Sequence, residues 1–172
     1  MSDSTKTGIK IINAHAKLGT RLLNAKELTE FLRTPELLVH LGTIDEIGEP
    51  DDVRPTWYYF DSVNDRLYVG TNKKLSKMIR NLEKNKTISF CIDDSRPDKY
   101  KGVRGKGDVS IHEDVKYTAP IFENIAARYV QADEDYLRET RKGDFVILDI
   151  KPRYYSTWTI LRKKIGKKTL IF

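Results

Sequence analysis

Three apolar, β-rich runs, residues 37–44, 53–60 and 66–71, follow one another through short turns before any helix intervenes. Parallel neighbours need a crossover of a dozen residues or more, so these runs are expected to pair antiparallel, as a β-meander. The turns carry their own signals, Gly48 and Pro50 in the first and Asp61-Ser-Val-Asn-Asp65 in the second. The middle run holds Trp57, Tyr58, Tyr59 and Phe60, a strong strand signal. That row is too apolar to be wholly exposed, and it fits a core and an interface better than the stacking of nucleic-acid bases.

The other elements follow from periodicity. Asn24 and Glu27 have capping-box spacing, with Asn in place of Ser or Thr. Leu28, Phe31 and Leu32 then share a helical face, and Pro35 ends it. Leu75, Met78, Ile79 and Leu82 fall at i, i+3, i+4 and i+7, which predicts an amphipathic helix over 75–84. A strand is expected at 87–92. Val103, Gly105, Gly107, Val109 and Ile111 alternate with polar residues, the period of a half-buried strand. Its two glycines predict a bulge, a bend or a close approach. A helix is expected over 116–130, with Pro120 in its first turn, then a short helix over 133–141 that starts on Asp133-Glu-Asp135. Two closing strands, 145–150 and 154–160, flank Pro152.

About seven strands and three or four helices result, without βαβ alternation. The reading is one domain over 1–172, mainly β with peripheral helices, an antiparallel barrel. Residues 1–23 form an N-terminal extension. Residues 161–172 form a basic tail with Arg162, Lys163, Lys164, Lys167 and Lys168 and no acid. A length of 172 residues agrees with a single domain of roughly 150.

Composition narrows the chemistry. With 31 basic and 25 acidic residues the net charge is +6, which suits an anionic ligand. The single cysteine, Cys91, rules out a disulfide framework and a cysteine-based metal site, and reads as a small buried hydrophobe. His15, His40 and His112 show no ligand spacing; His40 reads as structural, and no metal is expected. No apolar run approaches the ~20 residues of a membrane span. The polar start Met1-Ser-Asp-Ser-Thr-Lys lacks a secretory apolar region, so a cytoplasmic location without a membrane partner is expected.

Catalytic residues are not legible. There is no G-x-S-x-G and no P-loop, and Gly105-Lys-Gly107 lies mid-strand rather than at a strand-to-helix turn. An enzyme of this sequence would carry its chemistry on a cofactor. The informative stretch is 67–82, where a strand ends near Thr71, a polar loop follows and a helix begins. A helix start offers free N–H groups to an anion such as a phosphate monoester. Thr71 and Ser76 offer hydroxyls there, and Lys77 a point charge. The plainer account is that Lys73, Lys74 and Lys77 form a solvated helix entry. Arg54, at the head of the aromatic run, is by itself an ordinary surface arginine.

Taken in order, one series of motifs carries a resemblance. It runs Leu38-Val-His-Leu-Gly-Thr-Ile-Asp45, Gly48-Glu-Pro50, Arg54-Pro-Thr-Trp-Tyr58, Leu67-Tyr-Val-Gly-Thr-Asn72, Ser76-Lys77 and Asn81-Leu-Glu-Lys-Asn85. It closes with Val103-Arg-Gly-Lys-Gly107 and Pro152, Trp158 and Arg162. Over residues 26–162 this series resembles the split-barrel flavin-binding proteins related to pyridoxamine 5′-phosphate oxidase. The resemblance implies a six-stranded antiparallel split β-barrel, the FMN-binding split barrel, assembled as a homodimer with flavin mononucleotide (FMN) at the interface. It implies that Arg54, followed by Pro55 and Thr56, reaches the flavin phosphate. Val69, Gly70, Thr71 and Asn72 would line the ring and ribityl chain. Ser76-Lys77 would grip the phosphate, with the family's arginine lost and its lysine kept. Trp158 and Arg162 match the C-terminal segment that reaches the flavin or substrate of the partner subunit.

Two departures separate the chain from the oxidase proper. Tyr117 and Pro120 stand without the expected arginine, and Lys163 and Lys164 follow Arg162 where the oxidase closes on Arg-x-His. Vitamin B6 oxidation is therefore not implied. The better match is a broad branch in which some members use FMN and others the deazaflavin coenzyme. The implied activity is two-electron or hydride transfer between a reduced donor and a small-molecule substrate. The alternatives are a flavin or deazaflavin carrier or redox sensor without turnover, and, with less support, a nucleic-acid binder acting through the basic tail.

Overall fold

A computed structural model describes residues 10–12, 20–96 and 100–160. In chain order the elements are β1 (Ile11–Ile12), β2 (Thr20–Arg21), α1 (Ala25–Leu32), β3 (Val39–Ile44), β4 (Pro50–Thr56), β5 (Tyr59–Asp61) and β6 (Arg66–Asn72). They continue with α2 (Lys77–Lys84), β7 (Thr87–Asp94), β8 (Lys101–His112), α3 (Val115–Ala126), α4 (Glu134–Thr140) and β9 (Phe145–Ile160). The strands form one sheet in the order β4-β3-β7-β8-β9-β6-β5, and β1 and β2 pair with β9 off that path. Every pairing is antiparallel except β1 with β9. The sheet curls without closing, and its six long strands are β3, β4, β6, β7, β8 and β9: a split barrel with helices at its periphery.

The meander expected of the first three runs is not formed. β3 pairs with β4, but β6 joins the far side of the sheet, between β9 and β5. The cause lies at Trp57-Tyr58, where the single run expected over 53–60 breaks into β4 and β5. The Tyr58 N–H donates to the Tyr129 hydroxyl at 3.0 Å, and the Tyr58 hydroxyl donates to the Leu32 carbonyl at 2.9 Å. Trp57 stacks on Tyr129 with ring centroids 5.0 Å apart. These bonds take the backbone groups of Tyr58 out of the ladder and turn the chain toward the other edge.

The two closing strands are one strand of 16 residues, β9. Pro152 does not end it, because Lys106 faces Tyr154 and Gly107 faces Pro152, leaving Arg153 as an extra residue. A bulge of this kind accommodates proline, which has no N–H for the ladder. The glycines of β8 are close approaches: a Cβ on Gly105 would lie 2.3 Å from the Tyr154 carbonyl oxygen and 2.5 Å from the Phe90 ring.

The helices differ from expectation mainly at their ends. α1 begins with the capping box, Asn24 accepting from the Glu27 N–H and Glu27 from the Asn24 N–H. α2 begins at Lys77, not at residue 75, because the Asn72 side chain accepts from the N–H groups of Lys74 and Leu75 and holds a turn there. Leu75 is consequently 82% exposed and not part of the core. α3 starts one residue early on the Asp114 cap and ends at Ala126, so Pro120 falls in its second turn. α4 starts on Asp133, which accepts from the Tyr136 N–H.

The main core lies inside the barrel, where Leu28, Phe31 and Leu32 of α1 and Met78, Ile79 and Leu82 of α2 cap the strand interiors. A second cluster outside the sheet gathers Phe122, Ile125, Tyr129 and Ile147, with Trp57 packed against it. Of the N-terminal extension, β1 and β2 are described and both lie on β9. Cys91 is half-buried and desolvation pushes its thiol pKa up. His40 is exposed on β3 rather than enclosed.

Two substitutions test this account. Asn24→Ala is expected to cost about 1 kcal/mol in urea unfolding. The Arg21 hydrogen bond and the Asn24 N–H hold Glu27 down to a pKa of about 2. Its contribution is therefore present above the ordinary carboxylate range and lost as pH falls toward 2. Gly105→Ala is expected to cost about 1–3 kcal/mol, because a backbone oxygen stands in the way of the new methyl; an unchanged midpoint would contradict the close approach.

Candidate functional site

β4 and the start of α2 converge on one cluster. Arg54 points its Nη1 at the Ser76 hydroxyl from 3.5 Å and its Nη2 at Asp52 Oδ2, also from 3.5 Å. Both contacts are at the outer limit of a hydrogen bond, which leaves the guanidinium donors available to an anion. Lys77 pairs with Asp51. One turn on, Asn81 donates to Asp51 Oδ2 at 2.8 Å and to the Thr43 hydroxyl at 3.0 Å. β3, β4 and α2 are thereby tied by side chains far apart in sequence.

The helix start itself is open. Ser76 occupies the N-cap position of α2 but makes no capping bond, and the first turn holds no acid. Its side chain is 1% exposed and turned toward Arg54. The first N–H groups of α2 therefore lack a side-chain acceptor, the condition under which a helix start takes an anion. Asp52 Oδ2 is buried and makes no hydrogen bond within the described residues. A buried acceptor of that kind calls for a partner. The hydrogen bond from Lys77, and then that from Asn81, holds the Asp51 carboxyl below its ordinary pKa.

The other expected site residues lie as follows. Pro55 is exposed and Thr56 half-buried on β4, which among the described residues pairs only with β3 and leaves its other edge unpaired. Val69 and Thr71 point into the core, while Gly70 and Asn72 belong to the outer face of β6. A Cβ on Gly70 would meet the Phe122 ring at 2.3 Å, and the Asn72 side chain is engaged with the turn before α2. Trp158 is half-buried on β9 opposite Gly102. In the sheet β8, β7 and β3 separate its strand from that of Arg54. Arg162 and the rest of the basic tail lie outside the described residues, and so does the nucleic-acid reading that rests on them.

Sequence reasoning missed Asp51, Asp52 and the polar role of Asn81. A signal existed: two acids precede Arg54 on its strand, and Asn81 stands four residues after Lys77, on the same helix face. Apolar groups flank the cluster, since Val53 is 74% exposed beside Arg54 and Leu75 is exposed just before Ser76. His112 lies 3.7 Å from Asp149 rather than grouping with Glu113 and Asp114, and among the described residues no three ligating side chains gather for a metal. No described helix is long and apolar enough to cross a membrane.

Comparison with known proteins follows the fold. The family model described as pyridoxamine 5′-phosphate oxidase matches residues 25–159. No curated protein matches the sequence. Among solved structures, a conserved hypothetical protein from Mycobacterium tuberculosis is 20% identical, with a TM-score of 0.71 over 92% of this chain and 98% of that one. An F420 reductase is 25% identical, with a TM-score of 0.54 over 74% of this chain and 94% of that one. An FAD-binding protein from Mesorhizobium loti is 19% identical, with a TM-score of 0.60 over 81% and 96% of the two chains. The first and third of these show the shared fold.

The Lys77–Asp51 pair gives a pH test. Asp51 is depressed in the folded state, so its contribution is present above its unfolded pKa and lost as pH falls through the lower folded value. Lys77→Met is expected to raise the Asp51 titration midpoint in carboxyl carbon NMR. An unmoved midpoint would show that Asn81, not Lys77, sets it.

Proposed function

The chain belongs to the pyridoxamine 5′-phosphate oxidase family, and from that premise we propose that it binds a flavin-type cofactor and works as a flavin-dependent oxidoreductase. The observation that carries this reading is the convergence of Arg54, Ser76, Lys77 and the uncapped start of α2. These groups fit a flavin's phosphate end: two cations, a hydroxyl and free N–H groups at one point. The 25% identity to an F420 reductase supports a coenzyme of the flavin type.

A bound flavin supplies two-electron chemistry through its ring. The chain's own part is to hold and orient it. Arg54 offers a planar fork and Lys77 a compact charge to phosphate oxygens. Ser76, nearly enclosed, adds a fixed hydroxyl. β6 has little side-chain surface to give, because Val69 and Thr71 are buried and Gly70 lies under Phe122. Its contribution is main-chain N–H groups near the strand end, where donors stabilise charge that develops on a reduced ring.

A homodimer is part of the proposal. The edge of β4 left unpaired among the described residues, and the exposed Val53 and Leu75, lie beside the phosphate cluster. Trp158, on a strand separated from β4 by three others, would reach a flavin held by the other copy.

The test is a visible spectrum of the protein purified without added cofactor, mass analysis of what denaturation releases, and titration with flavins. Arg54→Ala with Lys77→Ala is expected to weaken flavin binding by about a hundredfold or more, two charge-assisted contacts being lost. Full affinity in that variant would remove the phosphate site. Reduction of the bound flavin by nicotinamide donors supports the oxidoreductase; binding without any reduction would make the protein a carrier or sensor.

A further inference from the structure

Resting on the flavin reading, we infer that Asp52 is a ligand-binding residue whose carboxylate accepts a hydroxyl carried beside the phosphate. The site then selects phosphate esters with a hydroxyl on the carbon next to the phosphate-bearing one, as in a flavin's ribityl chain.

The two acids of β4 differ in how far the chain itself uses them. Asp51 is fully engaged, accepting from Lys77 and, at 2.8 Å, from Asn81. The Asp52 carboxylate accepts no hydrogen bond among the described residues. Its Oδ2 is buried and unpartnered, and its contact of opposite charge is Arg54, at 3.5 Å. Thr43 stands opposite Asp52 in the β3–β4 ladder, but its hydroxyl takes a bond from Asn81 instead.

An ionised carboxylate is an acceptor only, so a donor is what completes it. Left unmet, a mostly buried acceptor carries the cost of a lost hydrogen bond. A bound phosphate sharpens that need. Arg54 is both the cation beside Asp52 and the fork offered to the phosphate. Once its donors turn to phosphate oxygens, Asp52 stands as a negative charge beside an anion. A donor on the same ligand offsets that repulsion.

Position and charge narrow the donor. The Asp52 side chain is 19% exposed, so a small group can reach the carboxylate. With Asp52 Oδ2 only 3.5 Å from the arginine nitrogen, that group stands close to the phosphate Arg54 holds. On a polyol phosphate it is the hydroxyl of the adjacent carbon. An ammonium there would meet Arg54 and Lys77 as a third cation, whereas a hydroxyl is neutral.

Two ligand pairs of equal charge isolate the hydroxyl: FMN against 4′-deoxy-FMN, and glycerol 3-phosphate against propyl phosphate. Each pair is titrated into the purified full chain and into its Asp52→Ala and Asp52→Asn variants, the flavins by fluorescence and the small esters by amide NMR shifts. The wild type is expected to bind the hydroxyl-bearing member of each pair about tenfold more tightly, the scale of one hydrogen bond to a charged group. Asp52→Ala is expected to bring both ratios near one. Asp52→Asn, whose amide oxygen still accepts, is expected to keep part of the preference, which a role through charge alone would not allow. A wild type that binds both members of each pair equally overturns the inference whether or not the variants fold, and so does Asp52→Ala with the wild-type ratio. Either result leaves the flavin reading standing if FMN binds. A wild type that binds no flavin but prefers glycerol 3-phosphate overturns the flavin reading and keeps Asp52 as the hydroxyl acceptor. Binding of none of the four ligands overturns both.

Discussion

One strand holds the molecule together. β9 runs for 16 residues and pairs along nearly all of its length with β8. Its other edge is taken by β6 in the first half and by the short β1 and β2 in the second. A backbone buried this deeply must have its N–H and C=O groups paired, and the two-sided ladder does that. The bulge at Arg153 lets the strand bend without ending, so one strand serves both halves of the barrel. Gly105 and Gly107 belong to the same constraint, because β8 lies so close to β9 there that a side chain has no room.

The candidate site depends on that frame at one remove. With β6 fixed against β9, the Asn72 turn delivers α2, and the β3–β4 hairpin brings Arg54 from the opposite end of the sheet order. The two meet where Asn81 joins Asp51 to Thr43. Preorganisation comes from this polar bridge, not from a deep pocket. The result is a cluster in which every cation has a facing acid, yet Arg54 keeps donors to spare.

Much of the fold was legible because its signals are local. The capping box at Asn24, the alternation from Val103 to Ile111, and the acidic start at Asp133 each depend on residues a few positions apart, and each holds. The ordered motif series pointed to a split barrel, and the long strands form one. The failures share a cause. The run over 53–60 reads as one strand, but Tyr129, far along the chain, captures Tyr58 and breaks it. Leu75 fits the helical period of α2, but the Asn72 side chain holds it outside. Pro152 reads as a stop, but a bulge at Arg153 of the same strand absorbs it.

Arg54, Ser76 and Lys77 were nameable from the sequence, because their types and order carry the family pattern. Their meeting at one phosphate was implied by the resemblance; that Asp51 and Asp52 answer them was not legible. By itself the sequence determined the local conformations, the antiparallel class and the residue types for an anion. Periodicity, capping and turn chemistry are settled within a few residues of chain. The tertiary structure alone decided which strand β6 would join, where the aromatic run would break, and that the cations of the site would be matched by acids. Those outcomes depend on distances between groups that the chain brings together only when the sheet closes around β9.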